Sequence, residues 1–285
     1  MEQGRIIKLV SNDYTVLKDG KEYVCKSRGK FRKMKLSPLV GDIVKFDQEQ
    51  RYILEVCPRK NELVRPPVSN VDQVVIITSV KEPDLQTNLL DKLLLTVSYH
   101  RMKPIICFTK LDLLTKEERE KIKPILQYYE KIGYEVYFNT ELEEIASLFE
   151  GKVTAFTGQS GAGKSTLLNR LDTKLHLATG EISLALGRGR HTTRHVELLP
   201  IGNGLVADTP GFSSISFRGM KKQELKDYFI EFEKYQSECK YKDCMHDKDD
   251  HCKIKELVED GTILKSRYEN YIKFLREKEM EKESW

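Results

Sequence analysis

A glycine-rich loop that could bind phosphate groups lies in the middle of the chain. It has the form G-x-x-x-x-G-K-[ST], between an apolar strand, 153–157, and an apolar helix, 164–171. Successive backbone N–H groups in such a loop converge on phosphate oxygens, and the helix N-terminus adds partial positive charge. Lys164 would reach the β- and γ-phosphates, and the Ser165 hydroxyl would coordinate Mg²⁺. The predicted phosphate site consists of Gly158, Gln159, Ser160, Gly161, Ala162, Gly163, Lys164, Ser165 and Thr166.

A second motif, Asp208-Thr-Pro-Gly211, ends an apolar strand downstream of this loop. An aspartate in that position can hold Mg²⁺ through water, and the Gly211 N–H can sense the γ-phosphate. The four-residue pattern is common by chance, so its weight comes from its place at the end of a strand.

A third motif, Thr109-Lys-Leu-Asp112, follows the predicted strand 104–108 and could recognise a guanine base. The Asp112 carboxylate would accept hydrogen bonds from the guanine N1 and N2 donors, which adenine does not present, and the Lys110 stem would cover the base plane. Thr109 stands where this kind of motif usually has asparagine, a difference that concerns base affinity more than base identity.

The order of the three motifs is unusual, because the base loop precedes the phosphate loop. Circular permutation preserves a site in space, since the termini of a domain often lie close together. The permuted order predicts that the D-x-x-G segment leads directly into the C-terminal region. A switch that depends on the γ-phosphate could therefore act on that region.

The segment 187–194 is the predicted first switch of this site. Thr192 or Thr193 should supply a second hydroxyl to Mg²⁺, and Thr193 is preferred. His191 could position the attacking water, or could instead be an RNA or structural contact. Phe212 stands where Ras-like enzymes place a water-orienting glutamine, so we expect a slow intrinsic rate that a partner raises. Arg188, Arg190 and Arg194 could contact RNA phosphates or stabilise transition-state charge, and contact with RNA is the preferred role.

A cluster of possible metal ligands lies near the C-terminus. Cys239, Cys244, His246 and Cys252 offer three thiolates and one imidazole, a common set for structural zinc, although His251 could compete with His246. Four protein ligands leave no open coordination position, so the predicted Zn²⁺ is structural. A cytosolic chain is unlikely to keep disulfides, so the alternative to a metal site is a set of loose surface thiols.

The elements that must position these residues divide the chain into three predicted domains. Residues 1–66 contain five short, partly alternating strands, which favour a small closed barrel of the OB-fold type. Residues 67–218 alternate buried strands with helices, as in a doubly wound α/β domain. Residues 219–285 contain two charged helices, 224–235 and 266–279, around the cysteine cluster.

Composition limits the remaining possibilities. The 285 residues carry a formal net charge of +4, with six Lys or Arg and no acid within 26–35, which suits either a solvated loop or a loop that contacts RNA phosphates. The residues expected to form that loop are Arg28, Lys30, Phe31, Arg32, Lys33 and Lys35. No apolar run is long enough for a membrane span, and residues 1–13 do not resemble a signal peptide. We expect a cytoplasmic protein and, without a heptad pattern, a monomer.

The combination of these motifs resembles the ribosome small-subunit-dependent GTPase family (RsgA). The resemblance rests on the permuted motifs, on Gly187-Arg-Gly-Arg-His-Thr-Thr-Arg194, on Arg65-Pro-Pro-Val-Ser-Asn70 and on the cysteine–histidine set. It implies an OB-fold front domain, a permuted GTPase domain and a zinc-binding C-terminal domain. It also implies binding to the small (30S) ribosomal subunit and its rRNA late in maturation, with GTP hydrolysis to GDP stimulated by the subunit.

Two alternatives remain at the level of sequence. The chain could be an RNA-binding scaffold whose guanine-nucleotide site is regulatory and barely hydrolyses. It could also be an ATP-using enzyme in which Asp112 is incidental.

Overall fold

Five strands form a closed N-terminal barrel in the computed structural model, which describes residues 1–27, 31, 37–64, 66–171, 196–208, 216, 217 and 219–283. The strands pair in the order β1-β2-β3-β5-β4-β1, antiparallel except for β3 with β5, which is an OB-fold arrangement. Asp19 and Gly20 have φ values of 48° and 74° and form the tight turn between β2 and β3. The barrel strands are β1 (Glu2–Val10), β2 (Asp13–Lys18), β3 (Lys21–Ser27), β4 (Ile43–Asp47) and β5 (Tyr52–Val56).

A mostly parallel sheet follows the barrel and a short hairpin. Its strand order is β10-β9-β8-β11-β13-β12, parallel from β10 to β13 and antiparallel at β12. Every residue of β8 is buried, as expected for a strand covered on both faces. The hairpin and the sheet comprise β6 (Glu62–Val64), β7 (Pro67–Ser69), β8 (Gln73–Ser79), β9 (Lys103–Thr109), β10 (Glu135–Phe138), β11 (Val153–Gly158), β12 (Glu197–Ile201) and β13 (Gly204–Asp208).

Helices cover both faces of this sheet. Helices α1 and α2 pack on one face and contribute Leu94 and Tyr129 to its core, whereas α3 and α4 pack on the other face with Ile145 and Leu167. Thr115 and Glu118 form a capping box at the start of α2, so the predicted helix begins where the sequence signal lies. The four helices are α1 (Thr87–Tyr99), α2 (Lys116–Ile132), α3 (Leu142–Ser147) and α4 (Lys164–Leu171).

The C-terminal region is a helical unit with its own core. The continuous helix predicted over 224–235 is wrong: a 3₁₀ segment, Lys222–Tyr228, gives way to the single turn α5 (Ile230–Glu233). The break falls at Phe229, whose extended backbone buries its ring against Phe232 and Tyr271. Tertiary packing therefore overrides local helix propensity here. Two helices complete the unit, α6 (Lys253–Glu259) and α7 (Lys265–Glu283), and a 3₁₀ turn, Gln236–Glu238, precedes the cysteine cluster.

A buried ionic network joins α7 to α1. Arg267 donates to both carboxylate oxygens of Glu231 at 2.7 and 2.8 Å and to Asp91 at 2.7 Å, and its side chain is 1 % exposed. Tyr129 and Asn270 also donate to Asp91, and the Arg267 guanidinium lies 4.6 Å from the ring centre of Phe229. Although burial opposes its charge, Asp91 and Glu231 raise the pKa of Arg267 above its ordinary value. Burial raises the pKa of Asp91, against the effect of Arg267.

The barrel and the central sheet are continuous through β1 and β12. Lys8 of β1 pairs with Glu197 of β12 in antiparallel register, and their side chains form an ion pair at 2.8 Å. Strand β12 is absent from the sequence prediction, which ended the α/β region on β13 alone. Its sequence includes Pro200, which normally argues against a strand. In the described residues, β1 pairs with β12 only at Glu197. Pro200 lies farther along β12, where the paired strand is β13.

Candidate functional site

Two of the predicted motifs and the first residue of a third meet at one edge of the central sheet. Strands β8, β9, β11 and β13 run parallel, so their carboxyl ends share an edge, where ligands of open α/β sheets usually bind. The phosphate loop follows β11, the base loop follows β9, and Asp208 ends β13. The permuted order in sequence thus becomes a single site in space.

Gly158 sets the course of the phosphate loop. Its φ is +142°, and a Cβ there would lie 2.0 Å from the carbonyl oxygen of Ile77 in the neighbouring β8. Only glycine fits this close approach of two backbones. Gly161 and Gly163 also have positive φ, and the Leu167 N–H donates to the Gly163 carbonyl where α4 begins. The loop thereby turns directly into the N-terminus of a helix.

The side chains of the loop differ in exposure in a way that suits phosphate and Mg²⁺. Ser165 is 3 % exposed, and its Oγ has no hydrogen-bond partner among the described residues. A buried hydroxyl without a partner is expected where a bound ion completes the coordination. The remaining positions are mixed: Ala162 is buried, Gln159 and Lys164 are half-buried, and Ser160 and Thr166 are exposed.

The base loop contacts the phosphate loop directly. The Thr109 hydroxyl donates to the carbonyl oxygen of Ala162 at 2.6 Å, and both residues are almost fully buried. The threonine hydroxyl therefore ties the two loops together. Lys110 has a left-handed φ of 62°, and Asp112 lies exposed in the 3₁₀ turn Leu111–Leu113. Among the described residues no protein group binds the Asp112 carboxylate, which leaves its oxygens available to a base.

Two further contacts at this edge were absent from the sequence prediction. The segment Lys81–Gln86 after β8 reaches the site, because the Lys110 ammonium donates to the Glu82 carbonyl. On the opposite side, Arg170 of α4 donates to the Asn139 carbonyl at 2.9 Å, directly after β10. The contact of Lys110 with the segment Lys81–Gln86 could have been predicted from the sequence. The segment follows β8, a fully buried strand whose carboxyl end lies at the same edge of the parallel sheet.

Several predicted site residues lie outside the part of the chain that the structure describes. They include Gly211, His191, Thr192, Thr193 and Phe212, together with Arg188, Arg190 and Arg194 of the first switch. For Asp208 the backbone is described at the end of β13 but the side chain is not. Arg65 and the basic residues Arg28, Lys30, Arg32, Lys33 and Lys35 are also outside the described ranges.

The structure brings the four predicted metal ligands together in the C-terminal unit. Their ligand atoms all lie within 4.8 Å of one another. The Nδ1 of His246 is 3.4 Å from the Cys252 sulfur and 3.6 Å from the Cys239 sulfur. A tetrahedral zinc ion with Zn–S of about 2.3 Å and Zn–N of about 2.05 Å separates such atoms by about 3.6 Å, so the cluster fits a metal of that size. His251 is exposed and does not join the cluster, so the geometry favours His246 as the fourth ligand.

The surroundings of the cluster favour a neutral imidazole. Burial lowers the pKa of His246 to about 4, so the ring is uncharged near neutral pH and its Nδ1 lone pair can bind a metal. Burial also raises the pKa of the Cys252 thiol in the metal-free chain. Tyr268 and Tyr271 donate to the carbonyl oxygens of His246 and Met245, which fixes the ligand loop against α7.

A phosphate-binding loop, a base loop that precedes it in the chain and a shared sheet edge define the class of circularly permuted P-loop GTPases. The family model described as RsgA GTPase matches residues 56–218, and the model for the RsgA N-terminal domain matches residues 3–52. The chain belongs to the RsgA GTPase family.

Individual relatives cover the chain almost completely. A protein of Oceanobacillus iheyensis, named small ribosomal subunit biogenesis GTPase RsgA 2, is 50 % identical over an alignment of 285 positions that covers 97 % of this chain and 97 % of its own. The solved structure of YloQ, described as a circularly permuted GTPase, is 38 % identical, has a TM-score of 0.85 and covers 99 % of this chain and 96 % of its own. The crystal structure of YjeQ from Thermotoga maritima is 34 % identical, has a TM-score of 0.84 and covers 97 % of this chain and 98 % of its own.

Proposed function

We propose that the chain is a GTPase that binds the small ribosomal subunit, acts in its late maturation and hydrolyses GTP with stimulation by the subunit. The hydrogen bond from Thr109 to Ala162 is the observation that carries the nucleotide part, because it joins a guanine-type loop to a phosphate loop. The names of the relatives, small ribosomal subunit biogenesis GTPases, support the ribosomal part.

The proposed chemistry uses the residues at the sheet edge. In the reaction, water attacks the γ-phosphorus, the bond to the β–γ bridging oxygen breaks, and GDP and phosphate result. Lys164 would bind the β- and γ-phosphates, and Ser165, Thr193 and Asp208 would hold Mg²⁺, which would supply positive charge to offset that of the phosphates. His191 positions the water. Because Phe212 cannot orient water, contact with the subunit is proposed to complete the site.

The other proposals concern the flanking parts. Cys239, Cys244, His246 and Cys252 are proposed to hold one structural Zn²⁺, and the barrel with its basic segment is proposed to contact rRNA. Domain limits of 1–66, 67–218 and 219–285, a monomeric state and a cytoplasmic location stay predictions. Within the described ranges, every helix is too short or too polar to span a bilayer.

Hydrolysis of GTP by the purified protein should rise at least about tenfold when 30S subunits are added. ATP hydrolysis should stay low under both conditions, and large ribosomal subunits should serve as the control for nonspecific RNA. Phosphate release under saturating nucleotide measures the effect. Tight GTP binding without stimulation would remove the subunit as activator and favour a scaffold with a regulatory nucleotide site.

The Asp112→Asn substitution should change the base preference of the nucleotide site from guanine to xanthine. An amide cannot accept both guanine donors, and hydrogen bonds to a charged group contribute about 1.5–3 kcal/mol, so GDP affinity should fall about tenfold to a hundredfold. Xanthosine diphosphate should bind better than GDP, as measured by titration calorimetry. Asp243→Asn, at an exposed aspartate remote from the site, is the control. An unchanged preference would favour an ATP-type enzyme in which Asp112 is incidental.

A further inference from the structure

We propose that Asn270, in the C-terminal helix α7, is a positioning residue for the base loop of the nucleotide site. Asn270 would act through the first turn of α1 and the segment Lys81–Gln86, without touching nucleotide itself. This inference rests on the proposed guanine-nucleotide function of the sheet edge.

The near end of the segment lies against both nucleotide loops. The Lys110 ammonium donates to the Glu82 carbonyl, and the Val80 N–H donates to the Thr109 carbonyl at 3.1 Å. A Cβ built on Gly161 would lie 3.7 Å from Cδ of Pro83, so the phosphate loop packs beside this segment. The position of the segment therefore determines where the Lys110 side chain lies.

Helix α7 holds the first turn of α1, which directly follows the segment. Helix α1 starts after Gln86, which provides no side-chain cap. In the first turn, Asn88 donates to the Asn270 side-chain oxygen at 3.0 Å, and Asn270 donates to the Thr87 hydroxyl at 3.4 Å. Asn270 also donates to Asp91 at 2.7 Å. Three residues near the start of α1 therefore share one hydrogen-bond partner, Asn270 of α7.

Asn270 is itself fixed in place. Its side chain is 3 % exposed, and its partner Asp91 is bound by the buried Arg267 one turn away on the same helix. The network therefore gives the asparagine little freedom to move, and a contact chain of buried, hydrogen-bonded groups is the kind that carries coupling between sites. The metal-binding unit would in this way set the geometry of the base loop.

The test compares three variants across the same α1–α7 interface. Asn270→Ala removes all three contacts with the first turn, and Asn88→Ala removes one of them. Lys92→Ala is the matched control, because Lys92 lies on α1 and pairs with Glu277 of α7 at 2.8 Å, a bond across the same interface that does not involve Asn270. Affinities for GDP and ADP are measured with fluorescent nucleotides, together with thermal unfolding and bound metal.

Asn270→Ala should raise the GDP dissociation constant about two- to thirtyfold and reduce the GDP-to-ADP affinity ratio, with bound metal retained. Asn88→Ala should shift both in the same direction by less, and Lys92→Ala should leave both within twofold. If Asn270→Ala loses its metal or fails to fold, the GDP affinity and the GDP-to-ADP affinity ratio of Asn88→Ala test the inference instead. Unchanged nucleotide affinities in the folded variants, or equal losses in all three, would overturn the inference. A wild-type chain that does not prefer GDP to ADP would instead contradict the proposed function.

Discussion

A His246→Ala chain should lose its metal ion, whereas a His251→Ala chain should keep it. His246 is fully buried with Nδ1 toward two thiols, and His251 is exposed. The pair is closely matched, since the two residues have left-handed φ values of 57° and 52°, so the substitution strains both backbones alike. Apparent zinc binding in small structural sites is about 10–16 kcal/mol, which makes metal loss a large loss of folding free energy.

Metal content per chain, measured by elemental analysis, gives the first readout for these two variants. Hydrogen exchange gives the second, and the loss of protection should centre on the core formed by Phe232, Tyr271 and Phe274. That core packs on the ligand loop, so it should open when the loop is released. Metal retained at full stoichiometry by His246→Ala would contradict the assignment of the ligand set.

Arg267→Met should destabilise the C-terminal unit by about 3–5 kcal/mol, because it leaves two buried carboxylates without their cation. Glu231 and Asp91 are both less than 5 % exposed, so water cannot replace the guanidinium. Methionine preserves most of the side-chain volume, which isolates the electrostatic effect from cavity formation. Unfolding in urea, followed by circular dichroism, measures the difference.

Arg276→Met provides the control for that prediction, since Arg276 lies on the same helix and also binds two carboxylates, Asp247 and Glu279. Its side chain is 39 % exposed, and exposed pairs usually contribute less than about 1 kcal/mol. The triple variant Arg267→Met, Glu231→Gln and Asp91→Asn should recover part of the lost stability. Similar losses of unfolding free energy in Arg267→Met and Arg276→Met would show that burial of the ion pairs does not determine their contribution to stability.

Local sequence patterns predicted the strands of the barrel, the alternation of strands and helices and the ligand set of the metal cluster. Each depends on neighbours in the chain: Asp19-Gly20 forms a turn by itself, and the G-K-S loop needs only the strand and helix that flank it. The Thr109 motif was also located correctly at a strand end. Its hydroxyl, however, binds the phosphate loop, a contact that no local pattern encodes.

Most of the unpredicted features depend on residues distant in sequence. The network of Asp91, Glu231 and Arg267 joins three elements, and nothing in the spacing of two acids and an arginine marks them as partners. Strand β12 is the exception, since it pairs with β13 along its whole length across the turn Gly202-Asn203, which outweighs the poor strand propensity of Pro200. The broken helix at Phe229 likewise reflects packing on α7.

The shared strand β1 implies an order of assembly during synthesis of the chain. The first half of β1 pairs with β4, so the barrel can close once residue 56 has left the ribosome, but Lys8 must wait for Glu197. Until then the second half of β1 presents an open edge, the kind of surface on which nascent chains associate wrongly. A lysine at that edge discourages pairing with other strands. Lys8 thus discourages pairing of the open β1 edge with other chains during synthesis. Once Glu197 is present, Lys8 pairs with it and connects the barrel to the central sheet.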